Sequence, residues 1–285
     1  MFTTPLSVAV LRAAAECAGL ADIDVESVQR TGSTNTDLLV RARIAQPARP
    51  VLRVALAQTA GRGRFGRRWV AAPGSALLFS LAVALPRARE ADAAVTLACG
   101  TALAEALIAE GVLAQLKWPN DLQLESRKLG GVLCELGVDA QGARTLVAGV
   151  GVNLWLDATA HESIGAAAAA LNERLAFSVL ARDRAGLVAR LAAALVEAVA
   201  LFDVRGFLPF QPRFMRRFAQ LGQPVELIAH GVRVATGRAL GIDGSGRLLL
   251  DTDAGVRTFD SGEISLRAAD ARPSHAGMSA LARES

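Results

Sequence analysis

Runs in which apolar and polar residues alternate predict the strands of this chain. The longest lie at residues 51–57, 75–85 and 145–154, a shorter one lies at 27–30, and a turn-containing stretch at 122–136 predicts a hairpin. Successive side chains of a strand point to opposite faces of a sheet. Such strands can bury one face in a core and leave the other free for chemistry.

Three other stretches have apolar residues at helical spacing. Residues 5–18 predict a first helix capped by Thr4. Residues 91–110 predict a second helix that ends at Gly111, and residues 179–202 predict a long amphipathic one. All three are expected to pack against the strands.

The pattern changes from residue 222 onward. Five short apolar segments there are separated by turn signals rich in glycine and aspartate, which is typical of a small β-barrel. The last residues are small and polar, as in a disordered tail. We therefore predict a main domain at residues 1–218, a barrel at 219–268 and a disordered tail at 269–285.

The composition is that of a globular protein of the cytoplasm. Of the 285 residues, 52% are hydrophobic and 20% are charged, which is ordinary for a soluble domain. The three cysteines are far apart in apolar surroundings, which predicts buried free thiols in a reducing compartment. No basic region precedes the first apolar run, and no run of eighteen apolar residues without charge occurs, so neither a signal peptide nor a membrane span is expected.

Basic residues are almost all arginine. The net charge is only +4, and apart from residues 62–68 the arginines are scattered, whereas a nucleic-acid binder usually carries a basic stripe or tail. Only two of the 31 basic residues are lysines, Lys117 and Lys128. Because an ammonium and a guanidinium are not interchangeable, we expect the compact ammonium to be required at both positions.

Residues 58–69, with the sequence Q-T-A-G-R-G-R-F-G-R-R-W, connect two predicted strands. Glycines let a backbone bend and approach a ligand closely, and guanidinium groups bind carboxylates and phosphates. This Gly/Arg loop therefore predicts an anion-binding site. Taken alone, it is also compatible with a solvated turn or with part of a general nucleic-acid patch.

Small hydroxyl and amide side chains crowd into residues 31–37. Ser33 or Thr34 would cap the helix that follows, and Asp37 would complete a capping box. The same groups would also suit a polar ring that offers both a carbonyl and N–H groups. The two roles are compatible.

The strand at residues 145–154 contains the sequence G-V-G-V-N. By its two-residue period, Gly149, Gly151 and Asn153 share one face, which forms a smooth strip for a flat ligand. A dinucleotide site is the competing interpretation, but the third glycine is missing and no helix follows. Beyond this strand, the alanine-rich residues 158–171 predict a mobile lid.

Proline interrupts a strand within K-W-P-N-D at residues 117–121, so that polar residues there can face a cleft. The following stretch carries Lys128 and then the pair Gly130 and Gly131. Paired glycines inside a strand indicate close approach of a ligand or of another backbone. We expect a hairpin with one lysine in each arm.

Together these stretches resemble a known family, the bacterial biotin protein ligases. The similarity rests on five motifs in this order and at these intervals: T-G-S-T-N, Q-T-A-G-R-G-R-F-G-R-R-W, K-W-P-N-D, R-K-L-G-G-V-L and G-V-G-V-N. They span residues 31–153, and the barrel extends the similarity to residue 268. The resemblance implies an α+β fold, in which a mixed sheet with flanking helices, related to class II aminoacyl-tRNA synthetases, precedes a small SH3-like β-barrel.

The resemblance also implies an activity. Enzymes of this family react biotin with ATP to give biotinyl-5′-AMP and pyrophosphate, and then transfer biotin to a lysine of a carboxylase's biotin carboxyl carrier domain. The implied small molecules are biotin, ATP and Mg²⁺, and the implied protein partner is that carrier domain. Some members carry an N-terminal DNA-binding module, but too few residues precede Thr31 for one, so DNA binding of that kind is not expected.

Residue roles follow from the same resemblance. The catalytic cations would be Arg62, Arg64, Lys117 and Lys128. The residues implied in binding biotin are Ser33, Thr34, Asn35, Gln58, Gly61, Arg62, Gly63, Arg64, Trp69, Lys128, Gly131, Gly149 and Gly151. Those implied in binding ATP are Arg62, Arg64, Arg67, Lys117, Asn120 and Asn153, and Asp121 is the candidate Mg²⁺ ligand.

Two alternatives stay open. A lipoate–protein ligase is another acyl-adenylating enzyme on the same fold, against which the G-R-G-R sequence and its following tryptophan argue. A non-catalytic nucleotide-binding regulator is an alternative of another class, against which the two lysines and the complete basic loop argue. The three histidines match no catalytic triad or metal spacing and are expected to be ordinary surface residues.

Overall fold

The structure is a computed structural model. It describes residues 2–87, 92–156, 168–229, 231–261 and 264–268. The predicted disordered tail lies outside these ranges, and so does the predicted lid apart from residues 168–171.

Seven strands form one sheet, which is the main scaffold. They are β1 (Asp24–Thr31), β2 (Val51–Gln58), β3 (Ala76–Ala84), β4 (Gln115–Lys117), β5 (Asp121–Leu124), β6 (Arg127–Val138) and β7 (Arg144–Asn153). Their spatial order is β1-β2-β3-β7-β6-β5-β4. β1 and β2 run parallel, and the other neighbours pair antiparallel. The mixed sheet that the resemblance implies is therefore confirmed.

Helices cover both faces of this sheet. They are α1 (Val8–Cys17), α2 (Thr34–Ala42), α3 (Asp92–Ala109), α4 (Phe177–Arg205) and the short α5 (Gln211–Met215). Side chains of α1, α3 and α4 join the large apolar core on one face, whereas α2 has a small cluster of its own on the other. In β7, Ala148 and Val150 belong to the large core and Val147 to the small cluster. Strand alternation therefore places Gly149 and Gly151 on the α2 face, and the prediction that they share one face is confirmed.

The predicted cap of the first helix and the predicted placement of the two lysines are wrong. Ser7 rather than Thr4 caps α1, because its hydroxyl accepts a hydrogen bond from the Val10 amide at 3.2 Å. The two lysines do not occupy the two arms of one hairpin. Lys117 ends β4 and Lys128 lies in β6, with β5 between them, because the chain reverses direction once on each side of β5.

The cysteines differ in their surroundings. Cys99 is buried, Cys134 is half-buried and Cys17 is exposed, so the prediction of buried thiols is wrong for Cys17. A hydrogen bond with Cys134, together with burial, raises the pKa of the Cys99 thiol. Cys99 of α3 belongs to the large core, and Cys134 of β6 packs against it.

Among the described residues, one helix, α4, is long and apolar enough to cross a membrane by length and composition. However, 67% of its most apolar stretch is buried inside the structure. It packs against α1 and α3. The helix therefore has the burial expected of a core helix, as its amphipathic pattern predicted.

A second sheet lies at the C-terminal end of the chain. Its strands are β8 (Pro224–Ala229), β9 (Val232–Ile242), β10 (Leu248–Thr252), β11 (Gly255–Phe259) and β12 (Ile264–Ala268), in the order β11-β10-β9-β8-β12. This is the small β-barrel predicted from the sequence pattern, and it is SH3-like, as the resemblance implies. Its apolar residues are continuous with the large core, and the Trp118 indole N–H donates to the Gly246 carbonyl oxygen at 3.1 Å. The domain boundary after residue 218 stays a prediction.

Candidate active site

A cavity of about 210 Å³ lies on the α2 face of the main sheet. Motifs that are far apart in the sequence meet there, because the sheet places β3, β7, β6, β5 and β4 side by side. Most of the predicted site residues line it, and these are Ser33, Thr34, Asn35, Gln58, Arg62, Gly63, Arg64, Arg67, Trp69, Lys117, Asn120, Asp121, Lys128, Gly131, Gly149 and Gly151.

Gly61 and Asn153 are the two predicted site residues outside this lining. Gly61 supports the loop, since a Cβ there would lie 2.5 Å from the Trp69 carbonyl oxygen. Asn153 ends β7 and donates its side-chain amide to the Ala169 carbonyl at 2.9 Å. It therefore holds the backbone behind the site, and the geometry does not favour its predicted contact with ATP.

The Gly/Arg loop folds back on itself over the cavity. Backbone hydrogen bonds join Gly63 N to Arg67 O at 2.7 Å and Trp69 N to Gly61 O at 2.9 Å. The Trp69 ring lies on β7, so close that a Cβ on Gly151 would be 2.6 Å from it. The side-chain-free strip predicted for a ligand thus also receives the loop's own tryptophan.

The N-terminus of α2 forms the polar end of the cavity. Ser33 is the N-cap, as predicted, and its hydroxyl accepts from the Thr36 amide at 3.4 Å. The Thr34 hydroxyl lies 2.8 Å from that of Ser80, and Gln58 Oε1 accepts from the Thr34 amide at 2.8 Å. Ser33 therefore both caps α2 and lines the cavity. These bonds use only the side-chain oxygen of Gln58, so its amide nitrogen can donate to a ligand.

The predicted capping box is wrong. The Asp37 carboxylate accepts hydrogen bonds from the Thr31 hydroxyl at 2.6 Å and from Arg53 Nε at 2.8 Å. Because these partners belong to β1 and β2, Asp37 joins α2 to the edge of the sheet. It is therefore not available to the backbone amide of Ser33.

Glu135 is a site residue that the sequence did not reveal. It lies in β6 and accepts hydrogen bonds from Arg62 Nη1 at 3.1 Å, from Arg62 Nη2 at 2.8 Å and from Asn35 Nδ2 at 2.6 Å. One carboxylate thereby joins the Gly/Arg loop to the N-terminus of α2. The sequence signal is slight, since a glutamate in an alternating strand usually faces solvent.

Positive charge crowds the other end of the cavity. Seven lysine and arginine side chains line the cavity as a whole, and Asp121 is the one carboxylate among the described lining residues. Lys128 Nζ donates to Asp121 Oδ1 at 2.7 Å and lies 5.8 Å from the centroid of the Trp69 ring. Lys117 lies directly opposite Asp121 in the β4–β5 register. This excess of cations suits a ligand with several anionic oxygens.

Burial changes the acidity of two of these cations. Burial lowers the pKa of Lys117, and the nearby charges of Lys128 and Arg267 lower it further, although Asp121 opposes them. Burial also lowers the pKa of Arg64 to about 10. In both cases the negative charge nearby does not offset the cost of burying the cation. An anionic ligand bound in the cavity would offset it.

The barrel contributes directly to the site. Leu266 and Arg267 of β12 line the cavity, and the Arg64 guanidinium donates to the Ser261 carbonyl oxygen. These barrel residues were not singled out from the sequence. They lie in an ordinary alternating strand and turn, and only the packing of the barrel onto the main domain brings them to the cavity.

Comparison with protein families gives two matches. Residues 27–153 match the Biotin/lipoate A/B protein ligase family, and residues 221–267 match the Biotin protein ligase C terminal domain. The first match covers the five motifs and the second covers the barrel.

Individual proteins are similar over most of the chain. A biotin--[acetyl-CoA-carboxylase] ligase from Paracoccus denitrificans is 34% identical, over 82% of this chain and 97% of that protein. The bifunctional ligase/repressor BirA of Salmonella typhimurium is 35% identical, over 76% of this chain and 67% of that protein. The biotin protein ligase from Aquifex aeolicus, solved in complex with biotin and ATP, superposes with a TM-score of 0.71 at 26% identity and covers 86% of this chain and 99% of that chain.

Proposed function

The chain belongs to the biotin protein ligase family, and we propose that it activates biotin with ATP and transfers it to a lysine of a carboxylase's biotin carboxyl carrier domain. The observation that supports this most strongly is the shared cavity. Arg62, Lys117 and Lys128 lie around one site together with the polar N-terminus of α2 and the glycine strip of β7. A bifunctional molecule with a polar ring at one end and a carboxylate at the other matches this layout.

In the first step, a biotin carboxylate oxygen attacks the α-phosphorus of ATP. A carboxylate–phosphorus bond forms, the bond to the β-phosphate's bridging oxygen breaks, and pyrophosphate leaves with the electron pair. The reactants repel each other because both are anionic, so cations placed around the crowded oxygens lower the barrier. Arg62, Arg64 and Lys128 would hold the carboxylate and α-phosphate oxygens, and Lys117, Arg67 and Asn120 the remaining phosphates.

The opposite end of the cavity would bind the neutral ureido ring. Ser33, Thr34, Asn35 and Gln58 supply hydroxyl and amide groups at the N-terminus of α2. The glycines of β6 and β7 leave room for the thiophane ring and the valeryl chain, and Trp69 would close over them. In the second step the carrier lysine, as a free amine, attacks the acyl carbon, AMP leaves, and the amide nitrogen loses a proton.

Mg²⁺ is part of the proposal, and it would shield the phosphate charge when bound. Among the described residues, no group of three or more His, Cys, Asp or Glu side chains could hold a metal. Mg²⁺ is usually bound by one or two carboxylates together with substrate phosphates, so Asp121 fits as a single protein ligand. Its present partner is Lys128, whose ammonium could then turn to the substrate oxygens.

The cytoplasmic location also stays a prediction.

ATP–pyrophosphate exchange tests the function. We expect exchange of labelled pyrophosphate into ATP only when biotin is present, with little exchange when lipoate replaces it, because lipoate has no polar ring for the α2 end of the cavity. Exchange with lipoate alone would make the chain a lipoate ligase. Absence of exchange with either acid would favour the nucleotide-binding regulator.

Gly151→Ala should weaken biotin binding. The added methyl group would lie 2.6 Å from the Trp69 ring, so the ring must leave β7 and the loop must open. Overpacking of this kind costs about 1–3 kcal/mol, so we expect the KM for biotin to rise about tenfold or more. Gly244→Ala is the matched control, because its Cβ would make only an ordinary 3.6 Å contact. An unchanged KM in Gly151→Ala would show that the Trp69 position is unimportant for binding.

A further inference from the structure

Asn35 carries a buried polar atom with no partner. The residue is only 4% exposed. Its side-chain oxygen Oδ1 is inaccessible to solvent and accepts no hydrogen bond within the described part of the chain. This oxygen lies against β7, where a Cβ on Gly149 would be 2.6 Å away. A buried acceptor without a donor is costly and rare. Because Asn35 lines the cavity, the missing donor is best supplied by a ligand.

Glu135 decides which end of the Asn35 amide faces the ligand. A carboxylate only accepts hydrogen bonds, so the 2.6 Å contact requires the Asn35 amide nitrogen to point toward Glu135. The amide oxygen must then point the opposite way, toward the glycine strip. Without an acceptor at this place, the amide could present either of its ends to the cavity.

Glu135 is itself held in place. Both of its carboxylate oxygens accept from the Arg62 guanidinium, and two parallel charge-assisted bonds restrict a side chain more than one does. The Glu135 side chain is 22% exposed and that of Arg62 is 43% exposed. Because Arg62 belongs to the Gly/Arg loop, the orientation of the Glu135 carboxylate depends on the position of that loop.

We propose that Glu135 is a positioning residue that sets the ring specificity of the enzyme. It turns the Asn35 amide so that Oδ1 accepts a hydrogen bond from an N–H group of the ureido ring of biotin. This inference rests on the proposed function. Through Arg62 the same carboxylate holds the Gly/Arg loop, so ring recognition and loop position share one residue. The dithiolane ring of lipoate has no N–H group and leaves the oxygen unpaired, so the arrangement also selects against lipoate.

The test compares biotin with two analogues, each methylated at one of the two ureido nitrogens. The measured quantity is the ratio of kcat/KM for biotin to that for each analogue, in pyrophosphate exchange. This ratio is taken within one variant, so losses in folding or in Arg62 positioning cancel. In the wild type we expect a ratio of about 10 or more for one analogue, from the lost hydrogen bond and the added bulk.

Glu135→Met keeps the length of the side chain but removes both acceptor oxygens. We expect the ratio to fall several-fold in this variant, because the Asn35 amide is no longer oriented, and the KM for biotin to rise about tenfold. Glu135→Gln retains one acceptor oxygen and should give an intermediate ratio. Glu105→Met is the control, since Glu105 is bound by Arg213 through the same kind of pair at 3.1 Å and does not line the cavity.

The outcomes separate this inference from the function on which it rests. A wild type without biotin-dependent exchange would remove the proposed function. A wild type that is active but accepts both methylated analogues as well as biotin would overturn the role of Asn35, and with it the positioning role of Glu135, but not the proposed function. An unchanged ratio in Glu135→Met would overturn the positioning role of Glu135. If the melting temperature shows that Glu135→Met does not fold, the ratio of Glu135→Gln decides in the same way.

Discussion

Lys128→Gln is expected to lower the rate of biotin-dependent pyrophosphate exchange by about 100- to 1000-fold, the usual effect of removing one preorganised charge-stabilising group. The Lys128 ammonium forms an ion pair with Asp121 at 2.7 Å and lies beside the Trp69 ring. It is therefore close to both the loop and the glycine strip, where the carboxylate and the α-phosphate would meet. Exchange measured at saturating ATP and biotin reports the loss as a fall in kcat.

The melting temperature separates this effect from misfolding. The Lys128 side chain is 44% exposed, and a solvated ion pair contributes little to stability, so Lys128→Gln should melt within a few degrees of the wild type. Lys128→Arg tests whether charge alone suffices. A guanidinium is larger and planar, so we expect this variant to lose at least about tenfold in rate as well. Full activity in Lys128→Arg would show that the chain's use of lysine here is incidental.

The strand pattern predicted the scaffold of the site well. β2, β3 and β7 lie where alternation placed them, because a strand that buries one face leaves a two-residue period in the sequence. The same period correctly put Gly149 and Gly151 on one face. The Gly/Arg loop was predictable for a similar reason, since its glycines and arginines are neighbours in the sequence and need no knowledge of tertiary pairing.

The residues that the sequence did not reveal are those that enter the site by long-range packing. Glu135 meets Asn35 across 100 positions of sequence, and Ser80 meets Thr34 across 46. Each is an isolated polar residue in a strand, which by itself indicates only a solvated face. The contribution of Arg267 depends on how the barrel lies against the main sheet, and no local pattern encodes that placement.

The arrangement of the lysines shows the same limit. Both were recognised as unusual from their scarcity, but their predicted place in one hairpin was wrong. The intervening strand β5 puts Asp121 between them, opposite Lys117 in register and hydrogen-bonded to Lys128. One carboxylate thus serves two ammonium groups, and the site has more positive charge than it can neutralise itself.

Lys117→Met should therefore make the protein more stable and much less active. Burial lowers the pKa of Lys117 below its usual value of 10.5; Asp121 opposes this shift, and the charges of Lys128, Arg267 and Arg67 add to it. Its charged form is thus disfavoured by folding. Methionine fills a similar volume without charge, so we expect a melting temperature several degrees higher at pH 7. Because the phosphates lose a cation, exchange should fall by about 100-fold or more.

The pH dependence of this gain has a definite sign. Between the lowered folded pKa and the unfolded value of 10.5, the unfolded chain binds more protons at Lys117 than the native protein does, so wild-type stability rises with pH in that window. The stability difference between Lys117→Met and the wild type should therefore be largest at neutral pH and shrink as pH approaches 10.5. Thermal melts of both proteins from pH 7 to 10 measure it, with Lys117→Arg as a control that keeps the charge and should gain nothing. A lower melting temperature for Lys117→Met at pH 7 would show instead that the ammonium stabilises the fold.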